Sequence, residues 1–324
     1  MPIKGVSDRR QSAIINWQSK MSKGVHRFAL LVAVATFLLI IAGANVTSHD
    51  AGLAVPDWPL AFGKFFPKMV GNVFWEHGHR LVAAAVGILT IALAICLQIR
   101  ERRSWVRKLG WIALAGVVAQ GLLGGLTVKL NLPLAVSAAH ATLAQLFFLT
   151  TVSIAVFTSR SWTVPPGRIS ERDESFSLRS LGVASLVVIL TQLVLGATLR
   201  HSASWDRPLP TGLLLAHIGG AAMVTIVLGT TVSATLLRYR GERYLVRPAL
   251  IAATLQLAQL LLGLAAYVTR AASPNDPQPL NPMISVTVAH VACGALVFGA
   301  SIVLTLRAFR VLRVERQAYV LAPA

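Results

Sequence analysis

The sequence predicts an all-α membrane protein of eight transmembrane helices, built as two duplicated four-helix bundles. Three observations lead to this prediction. The chain of 324 residues is 55% hydrophobic and 13% charged, it contains eight long apolar runs, and similar motifs recur in its two halves. A helix of about 20 apolar residues spans the ~30 Å hydrocarbon core of a bilayer. Because lipid offers no partner to backbone polar groups, we expect every such run to be helical.

The predicted spans are 27–47, 78–98, 107–128, 134–158, 179–199, 212–237, 248–269 and 284–306. A polar stretch with two adjacent prolines and a charged run divides them into two groups of four, and it is typical of a linker. The predicted organisation is a basic N-terminal segment (1–26), a first bundle (27–158), a linker (159–178), a second bundle (179–310) and a tail (311–324).

Short motifs repeat between the two groups of spans. The segment Gln120–Thr127 has counterparts that begin at Gln192 and Gln259, and Ala-His pairs recur at His140, His217 and His290. Each group has an even number of spans, so both copies have the same orientation in the membrane. A pseudo-two-fold axis along the membrane normal is therefore expected to relate them.

Basic residues are concentrated on one side of the predicted topology. Of the 30 Lys and Arg residues, 23 lie in the N-terminal stretch up to Arg27, the loops 99–108, 159–179 and 238–247, and the C-terminal stretch from Arg307. This is a positive-inside pattern, and it predicts a multi-pass protein of a bacterial-type plasma membrane with both termini in the cytoplasm. The net charge of +18 is thus attributed to topology and contact with membrane lipids, and no nucleic-acid partner is predicted.

Four histidines lie at the same end of every second predicted span: His79, His140, His217 and His290. Imidazoles are unfavourable in an apolar interior, so a repeated set at one depth indicates a functional site. Two such residues on facing helices can hold one haem iron from both sides, and four residues provide two positions. The other histidines, His26, His49, His77 and His201, do not share this pattern and are predicted to be solvated, with propionate binding as the alternative for His49 and His77.

Glu76 and Arg80 flank the first of these histidines. Glu76 precedes His79 by three residues, so both project from one helix face, and Glu76 is a candidate acid/base. Its alternative role is an ion pair with Arg80. For Arg80, a haem propionate is the predicted partner because guanidinium groups bind carboxylates through two parallel bonds, and an ion pair with Glu76 or a loop aspartate is the alternative.

The remaining features are an aromatic loop and two cysteines. The loop 48–75 is predicted to be either a belt at the membrane interface or a lid over an apolar cofactor, and Trp205–Pro208 echoes it in the second half. Cys96 and Cys293 lie near opposite ends of different spans, so no disulfide is predicted between them. Without a C-x-x-C or C-x-x-C-H motif, covalent haem and common zinc sites are disfavoured.

Together these segments resemble the haem A synthase family over about residues 27–310. The resemblance is carried by Pro56-Asp57-Trp58-Pro59, by Glu76-His77-Gly78-His79-Arg80, by Gln120–Thr127 leading to His140, and by His217 and His290. Some members carry paired cysteines in the first outer loop. The present chain has none there, so a redox role for such a pair is not transferred to it.

The resemblance implies a b-type haem held between His217 and His290 as a resident cofactor. It implies that His79 and His140 form the site of the substrate, haem O, whose ring methyl is oxidised to a formyl group through a hydroxymethyl intermediate. Glu76 would then be the acid/base or cation-stabilising carboxylate. The implied partners are haem O, an electron acceptor, haem O synthase and assembly factors of terminal oxidases.

Two other classes of protein share the histidine pattern. One is a membrane cytochrome that transfers electrons through two b haems, and the other is a haem transporter or chaperone. The carboxylate at Glu76 favours the enzyme, since Leu214 occupies the equivalent position before His217.

Overall fold

The computed structural model describes the backbone of residues 4–164, 167, 169–172, 176–202, 209–271 and 279–315. Within these ranges it describes side chains from residue 23 onward, except at 171–172 and 314–315. The described elements are α1 (Lys4–Ser48), α2 (Asn72–Arg100), α3 (Ser104–Lys129), α4 (Leu134–Thr158), α5 (Arg160–Thr163), β1 (Ile169–Arg172), α6 (Leu178–Ser202), α7 (Thr211–Arg238), α8 (Arg243–Ala271), α9 (Asn281–Val311) and β2 (Leu312–Glu315). The predicted segment Trp205–Pro208 lies outside the described residues.

All of the long helices can cross a membrane. Within the described ranges, eight helices contain stretches of mean hydropathy between 1.7 and 2.5 that are long enough to span a bilayer. The prediction of eight spans is confirmed, and the chain is a multi-pass integral membrane protein. The helix α1 is continuous from Lys4, so the backbone of the basic N-terminal segment continues the first span.

Proline sets the start of three helices that carry a candidate histidine. Pro133 and Pro210 immediately precede α4 and α7, and Pro282 is the second residue of α9. Proline suits these positions because its fixed backbone angle matches the helix and its missing N–H would have no partner there. Consequently His140, His217 and His290 all lie within the first three turns of their helices, at a similar depth.

The eight long helices pack in two rings with the same pattern of neighbours. In the first ring α1 contacts α2 and α4, and α3 contacts the same two helices; in the second ring α6 and α8 each contact α7 and α9. Each ring has its own buried apolar cluster. A third cluster, of Ile40, Phe148 and Ala295, lies where α1, α4 and α9 meet. The rings join through contacts of α1 with α9 and of α4 with α6 and α9.

A small parallel ribbon departs from the all-α prediction. The strand β1, within the predicted linker, pairs with β2, at the start of the predicted tail, in a register that opposes Ile169 to Leu312. The segment Leu312–Glu315 alternates apolar and polar residues, which is the period of a strand. The linker also contains the short helix α5. Part of the linker is therefore regular structure, and its strand β1 pairs with β2 at the end of α9.

Candidate functional site

Each of the four candidate histidines rests against a glycine on the helix that precedes it. A β-carbon placed on the glycine would lie 3.0–3.1 Å from Cε1 of the imidazole in all four cases. The pairs are Gly43 with His79, Gly124 with His140, Gly196 with His217, and Gly263 with His290. A larger residue would push the ring away, so glycine is what allows the Cε1 corner of the imidazole to approach the neighbouring helix closely. The contact recurs between equivalent helices of both rings.

Three of these histidines also contact a glutamine one turn before the glycine. Nε2 of Gln120 donates to the backbone carbonyl of His140 at 2.9 Å, and Nε2 of Gln192 donates to that of His217 at 2.9 Å. Nε2 of Gln259 lies 3.3 Å from Nε2 of His290. A side chain that contacts both the backbone and the ring of a histidine restricts the rotation of that ring. In the sequence these glutamines mark the repeat, but the repeat alone does not indicate this role.

The first helix breaks this pattern. One turn before Gly43, the position of the glutamine is occupied by Leu39, a residue of the apolar cluster in the first ring. His79 therefore lacks the carboxamide neighbour that the other three histidines have. A recurring Gln-x-x-x-Gly segment, each followed by a histidine on the next helix, is the sequence signal that would have predicted this difference.

The geometry of His217 and His290 suits ligation of one metal from two sides. Their ring centroids are 6.4 Å apart, with an angle of 71° between the ring planes. A ligating imidazole nitrogen lies about 2 Å from its metal, so two rings on opposite sides of one ion have centres roughly 6 Å apart. Among the described residues, the buried Nδ1 atom of His290 has no hydrogen-bond partner. This donor set fits the iron of a haem.

The other pair, His79 and His140, has similar chemistry. Among the described residues, the Nδ1 atoms of both are buried without a hydrogen-bond partner. Burying a polar atom without a partner is unfavourable, and a bound group would relieve that cost. Within the same ranges no group of three or more His, Cys, Asp or Glu side chains could hold a metal ion. The candidate ligands in the described residues are therefore the two histidine pairs, which would hold a metal that a macrocycle also binds.

Glu76 is buried, and both of its carboxylate oxygens contact protein groups. Oε1 forms an ion pair with Arg80, and Oε2 accepts a hydrogen bond from the backbone N–H of Val55 at 2.7 Å. The side chain thus connects the start of α2 to the outer loop 48–75. The ion pair that the sequence analysis gave as an alternative is present.

Arg80 holds the same loop through its two terminal nitrogens. Nη1 donates to the backbone carbonyls of Asp57 and Leu60 at 2.7 and 3.0 Å, and Nη2 donates to that of Val55 at 3.1 Å as well as to Glu76. Both terminal nitrogens of the guanidinium thus donate to groups of the protein, whereas the sequence predicted a haem propionate as their partner. Propionate binding by Arg80 stays a prediction that no contact in the structure tests.

The outer loop has a buried side and an exposed aromatic side. Ala51, Val55 and Ala61 are fully buried. The indole of Trp58 lies so close to Gly125 of α3 that a β-carbon there would meet it at 2.6 Å. In contrast, the side chains of Phe65 and Phe66 are 76% and 78% exposed. The two alternatives for the loop are therefore compatible: one side covers the first ring, and the other is suited to the membrane interface.

Asp57 closes a turn within this loop. Its two carboxylate oxygens accept hydrogen bonds from the backbone N–H groups of Phe62 and Gly63 at 2.7 and 2.8 Å. These two bonds hold the pKa of the Asp57 carboxyl below its usual value of 3.8, and the bond from Gly63 has the larger effect. The ionised form is favoured because a carboxylate accepts such bonds better than a carboxylic acid does.

The prediction that the other histidines are solvated is wrong for His77 and incomplete for the rest. His77 is buried, and its Nε2 lies 2.8 Å from the backbone carbonyl of Phe65. His49 stacks on Trp75 with ring centroids 3.9 Å apart. His26 lies at the other end of the bundle, where its Nδ1 is 3.0 Å from the carbonyl of Ala155. His26, His49 and His201 are half-buried. His77 escaped the sequence analysis because burial by a folded loop leaves no periodic pattern.

Cys96 and Cys293 are free thiols, as expected. Sγ of Cys293 donates to the backbone carbonyl of Leu255 at 3.3 Å, and Cys96 packs against the apolar cluster of the first ring. They lie in different rings. Both behave as small packing residues.

The fold and site define a class: a polytopic membrane protein with two rings of four helices, each containing a pair of half-buried histidines that contact glycines. The family model described as cytochrome oxidase assembly protein matches residues 26–205 of the chain. The chain belongs to this family, and its resemblance to haem A synthases is confirmed by relatives of that name.

Two such relatives cover most of the chain. It is 27% identical over 270 residues to a protein of Shouchella clausii named Heme A synthase, covering 77% of this chain and 88% of that relative. It is 29% identical over 263 residues to the Heme A synthase of Symbiobacterium thermophilum, covering 74% and 85%. A shorter match of 67 residues, 49% identical, is to a protein of Haloarcula marismortui named Protoheme IX farnesyltransferase.

Proposed function

We propose that the chain is a haem A synthase, which oxidises the ring methyl of haem O to a formyl group through a hydroxymethyl intermediate. The observation that carries the proposal is the fourfold histidine–glycine contact, which supplies two pairs of half-buried imidazoles on equivalent helices. The comparisons support the proposal because relatives that match most of the chain are named Heme A synthase.

The second ring is proposed to hold the resident cofactor, haem b, between His217 and His290. The separation of 6.4 Å between their ring centroids would let both imidazoles bind one iron. Gln192 and Gln259 restrain the two imidazoles, and fixed ligands suit a cofactor that does not exchange. The haem supplies electron-transfer chemistry when it is bound, and the protein contributes ligation and orientation.

The first ring is proposed to hold the substrate between His79 and His140. His140 is restrained by Gln120, whereas on the helix before His79 the corresponding position is Leu39, which has no carboxamide. A ligand held less firmly on one side suits a molecule that must enter and leave at each turnover. We infer that His140 is the firmer ligand of the substrate haem and His79 the one released more readily.

Glu76 is proposed to handle protons in the first ring. Addition of water to the methyl group gives the hydroxymethyl group with loss of two electrons and two protons, and a second loss of two electrons and two protons gives the formyl group. An electron acceptor takes the electrons. Glu76 is a buried carboxylate on the helix that carries His79, and Leu214 occupies its position in the second ring, so acid/base chemistry is assigned to the first ring alone.

The membrane orientation and the partners belong to the same proposal. The Lys and Arg distribution supports cytoplasmic termini in a bacterial-type plasma membrane. The similarity of a 67-residue segment to a protein named for farnesyl transfer to protohaem supports a farnesylated haem as substrate, delivered by a haem O synthase. Assembly factors of terminal oxidases are proposed as recipients of the product.

The experiment is haem extraction from cells that make this protein together with a supply of haem O. Pigments are separated by reversed-phase chromatography and identified by mass. Haem A or its hydroxymethyl precursor, formed only when the chain is present, is the expected result. The Glu76→Gln variant should keep bound haem but form neither product.

One alternative is favoured by a specific observation. The histidine–glycine contacts are equally close in both rings, which suits a cytochrome that transfers electrons between two b haems. Bound haem B in both rings with haem O left unconverted would support that function and contradict the synthase. Haem O released unchanged to an acceptor protein would instead support a transporter or chaperone.

A further inference from the structure

Three arginines line one cavity at the end of the bundle opposite the four histidines. The cavity has a volume of about 380 Å³ and is lined by Trp162, Arg179, Phe309, Arg310, Leu312 and Arg313. Arg179 is the second residue of α6, and Arg310 lies in the last turn of α9. These helix ends mark the boundary of two membrane spans. No acidic side chain lines the cavity in the part of the chain that the structure describes.

Aromatic rings fix two of these guanidinium groups. Cζ of Arg310 lies 5.4 Å from the ring centroid of Trp162, and Nε of Arg310 donates to the backbone carbonyl of Trp162 at 3.1 Å. Cζ of Arg179 lies 5.8 Å from the ring centroid of Phe309. Cation–π contacts of this kind hold a planar guanidinium in place. A fixed group of this type binds phosphate oxygens through parallel hydrogen bonds with little loss of side-chain entropy.

A second, more apolar groove adjoins the first cavity. Its volume is about 580 Å³, and it is lined by Ser177, Arg179, Ser180, Val183, Ala184 and Phe309. The two spaces share Arg179 and Phe309. Val183 continues the groove along α6, and Val187, one turn further, is 58% exposed. The groove therefore runs from the arginines toward the middle of the membrane span.

We propose that these two spaces together bind one anionic phospholipid. The phosphate would lie among Arg179, Arg310 and Arg313, and an acyl chain would follow the groove along α6. Charge complementarity selects an anionic headgroup, and the position of the two spaces at the ends of two membrane spans selects a lipid. Basic pockets between helix ends bind the headgroups of anionic lipids in this manner.

The lipid would also join three parts of the chain. Arg179 begins the second ring, Trp162 belongs to α5 after the first ring, and Arg313 lies on β2 opposite Ser170 of β1. A bound phosphate would thus connect the linker ribbon to both rings at this end. We expect lipid binding to stabilise the chain against thermal unfolding, because a ligand that binds only the folded state adds to its stability.

The test uses the full chain purified in a mild detergent. Dioleoylphosphatidylglycerol, dioleoylphosphatidylcholine or inorganic phosphate is added, and bound lipid is counted by native mass spectrometry while the unfolding temperature is recorded. Phosphatidylglycerol is expected to bind in one copy and to raise the unfolding temperature, whereas phosphatidylcholine and phosphate are not. Equal effects of the two lipids would overturn the proposal, and so would competition by millimolar phosphate, which would indicate a site for a soluble anion.

Variants locate the site. In the double variant Arg310→Gln/Arg313→Gln, the ratio of phosphatidylglycerol binding to phosphatidylcholine binding is expected to fall roughly fivefold for each arginine removed. The matched control, Arg102→Gln, removes an exposed arginine at the same end of the bundle that does not line the cavity, and it should keep the preference. Ala184→Trp should fill the groove and weaken lipid binding with all arginines present. Retained preference in the double variant, or its equal loss in the control, would contradict the assignment.

Discussion

Nε2 of Gln192 donates a hydrogen bond to the backbone carbonyl of His217 at 2.9 Å and lies 3.1 Å from Nδ1 of the same residue. One carboxamide therefore holds both the main chain and the ring of a proposed haem ligand. Gly196, one turn later on the same helix, packs against that ring. Helix α6 thus restrains a side chain of α7 from two directions, and this arrangement leads to several predictions.

Replacing either histidine of the second ring by alanine should remove the resident haem. His217→Ala and His290→Ala each delete one of the two proposed haem ligands, and a haem with one ligand would be held less firmly. The measurement is the visible absorbance of the purified protein after reduction. His26→Ala, which changes a histidine at the other end of the bundle, is the control and should keep full absorbance. Full b-type absorbance in both test variants would refute the assignment.

Filling the space under an imidazole should displace it without changing any ligand. A β-carbon at Gly196 would lie 3.0 Å from Cε1 of His217, so Gly196→Val forces the ring away from its position. We expect lower haem occupancy and an altered spectrum. Gly229→Val introduces the same side chain at a glycine of α7 with open space around it and should leave the spectrum unchanged. Similar spectra for the two variants would show that the contact does not position the ring.

Adding a carboxamide to the first helix should make the two rings more alike. Leu39→Gln places an amide one turn before Gly43, at the position of Gln120 in α3. We expect slower dissociation of the substrate haem from the first ring, measured by transfer to apomyoglobin, and lower turnover. Gln120→Leu should have the opposite effect on dissociation. If both variants release haem at the wild-type rate, the proposed difference between His79 and His140 is incorrect.

Removing Arg80 should loosen the outer loop. Arg80 binds three backbone carbonyls of the loop and the carboxylate of Glu76, and Arg80→Ala leaves that buried carboxylate without its ion-pair partner. Breaking a buried pair in this manner costs about 3 kcal/mol. Limited proteolysis should cleave the 48–75 loop much faster in this variant. Lys64→Ala, at an exposed position of the same loop, is the control; equal cleavage of both would contradict the role of Arg80.

The turn closed by Asp57 should open in acid. Its pKa is depressed in the folded loop by the N–H groups of Gly63 and Phe62, so the ionised carboxylate stabilises the turn. This contribution is complete above the ordinary value of 3.8 and is lost as the pH falls below it, through the lower folded-state pKa. Protease sensitivity of the loop should rise over that range in the wild type. In Asp57→Asn the rise should be absent, and an unchanged profile would exclude Asp57 as its cause.

Much of the site was predictable because it repeats. His79, His140, His217 and His290 were identified from their equal depth in every second span, because the limits of an apolar run and the position of a histidine within it are local features of the sequence. The ion pair between Glu76 and Arg80 was also among the predicted alternatives, because residues four apart share a helix face. What a repeat could not show is which neighbour each side chain meets.

The contacts that decide the site lie between helices or between a helix and the loop. Leu39 is an ordinary apolar residue in the sequence, and its importance follows only because it occupies on α1 the position that glutamine occupies on α3, α6 and α8. His77 reads as a polar residue at a helix start, yet the loop folds over it and buries it. The parallel pairing of β1 with β2 joins segments more than 130 residues apart, which no local pattern indicates.

The sequence by itself determined the eight spans, the division into two halves and the four histidines, because hydrophobic length, charge distribution and helical period are local properties of the chain. Only the tertiary structure decided that each imidazole rests on a glycine, that three of the four contact a glutamine, and that Arg80 binds the outer loop. These relationships arise from the close approach of helix backbones, which depends on how all the helices pack together and not on any one segment.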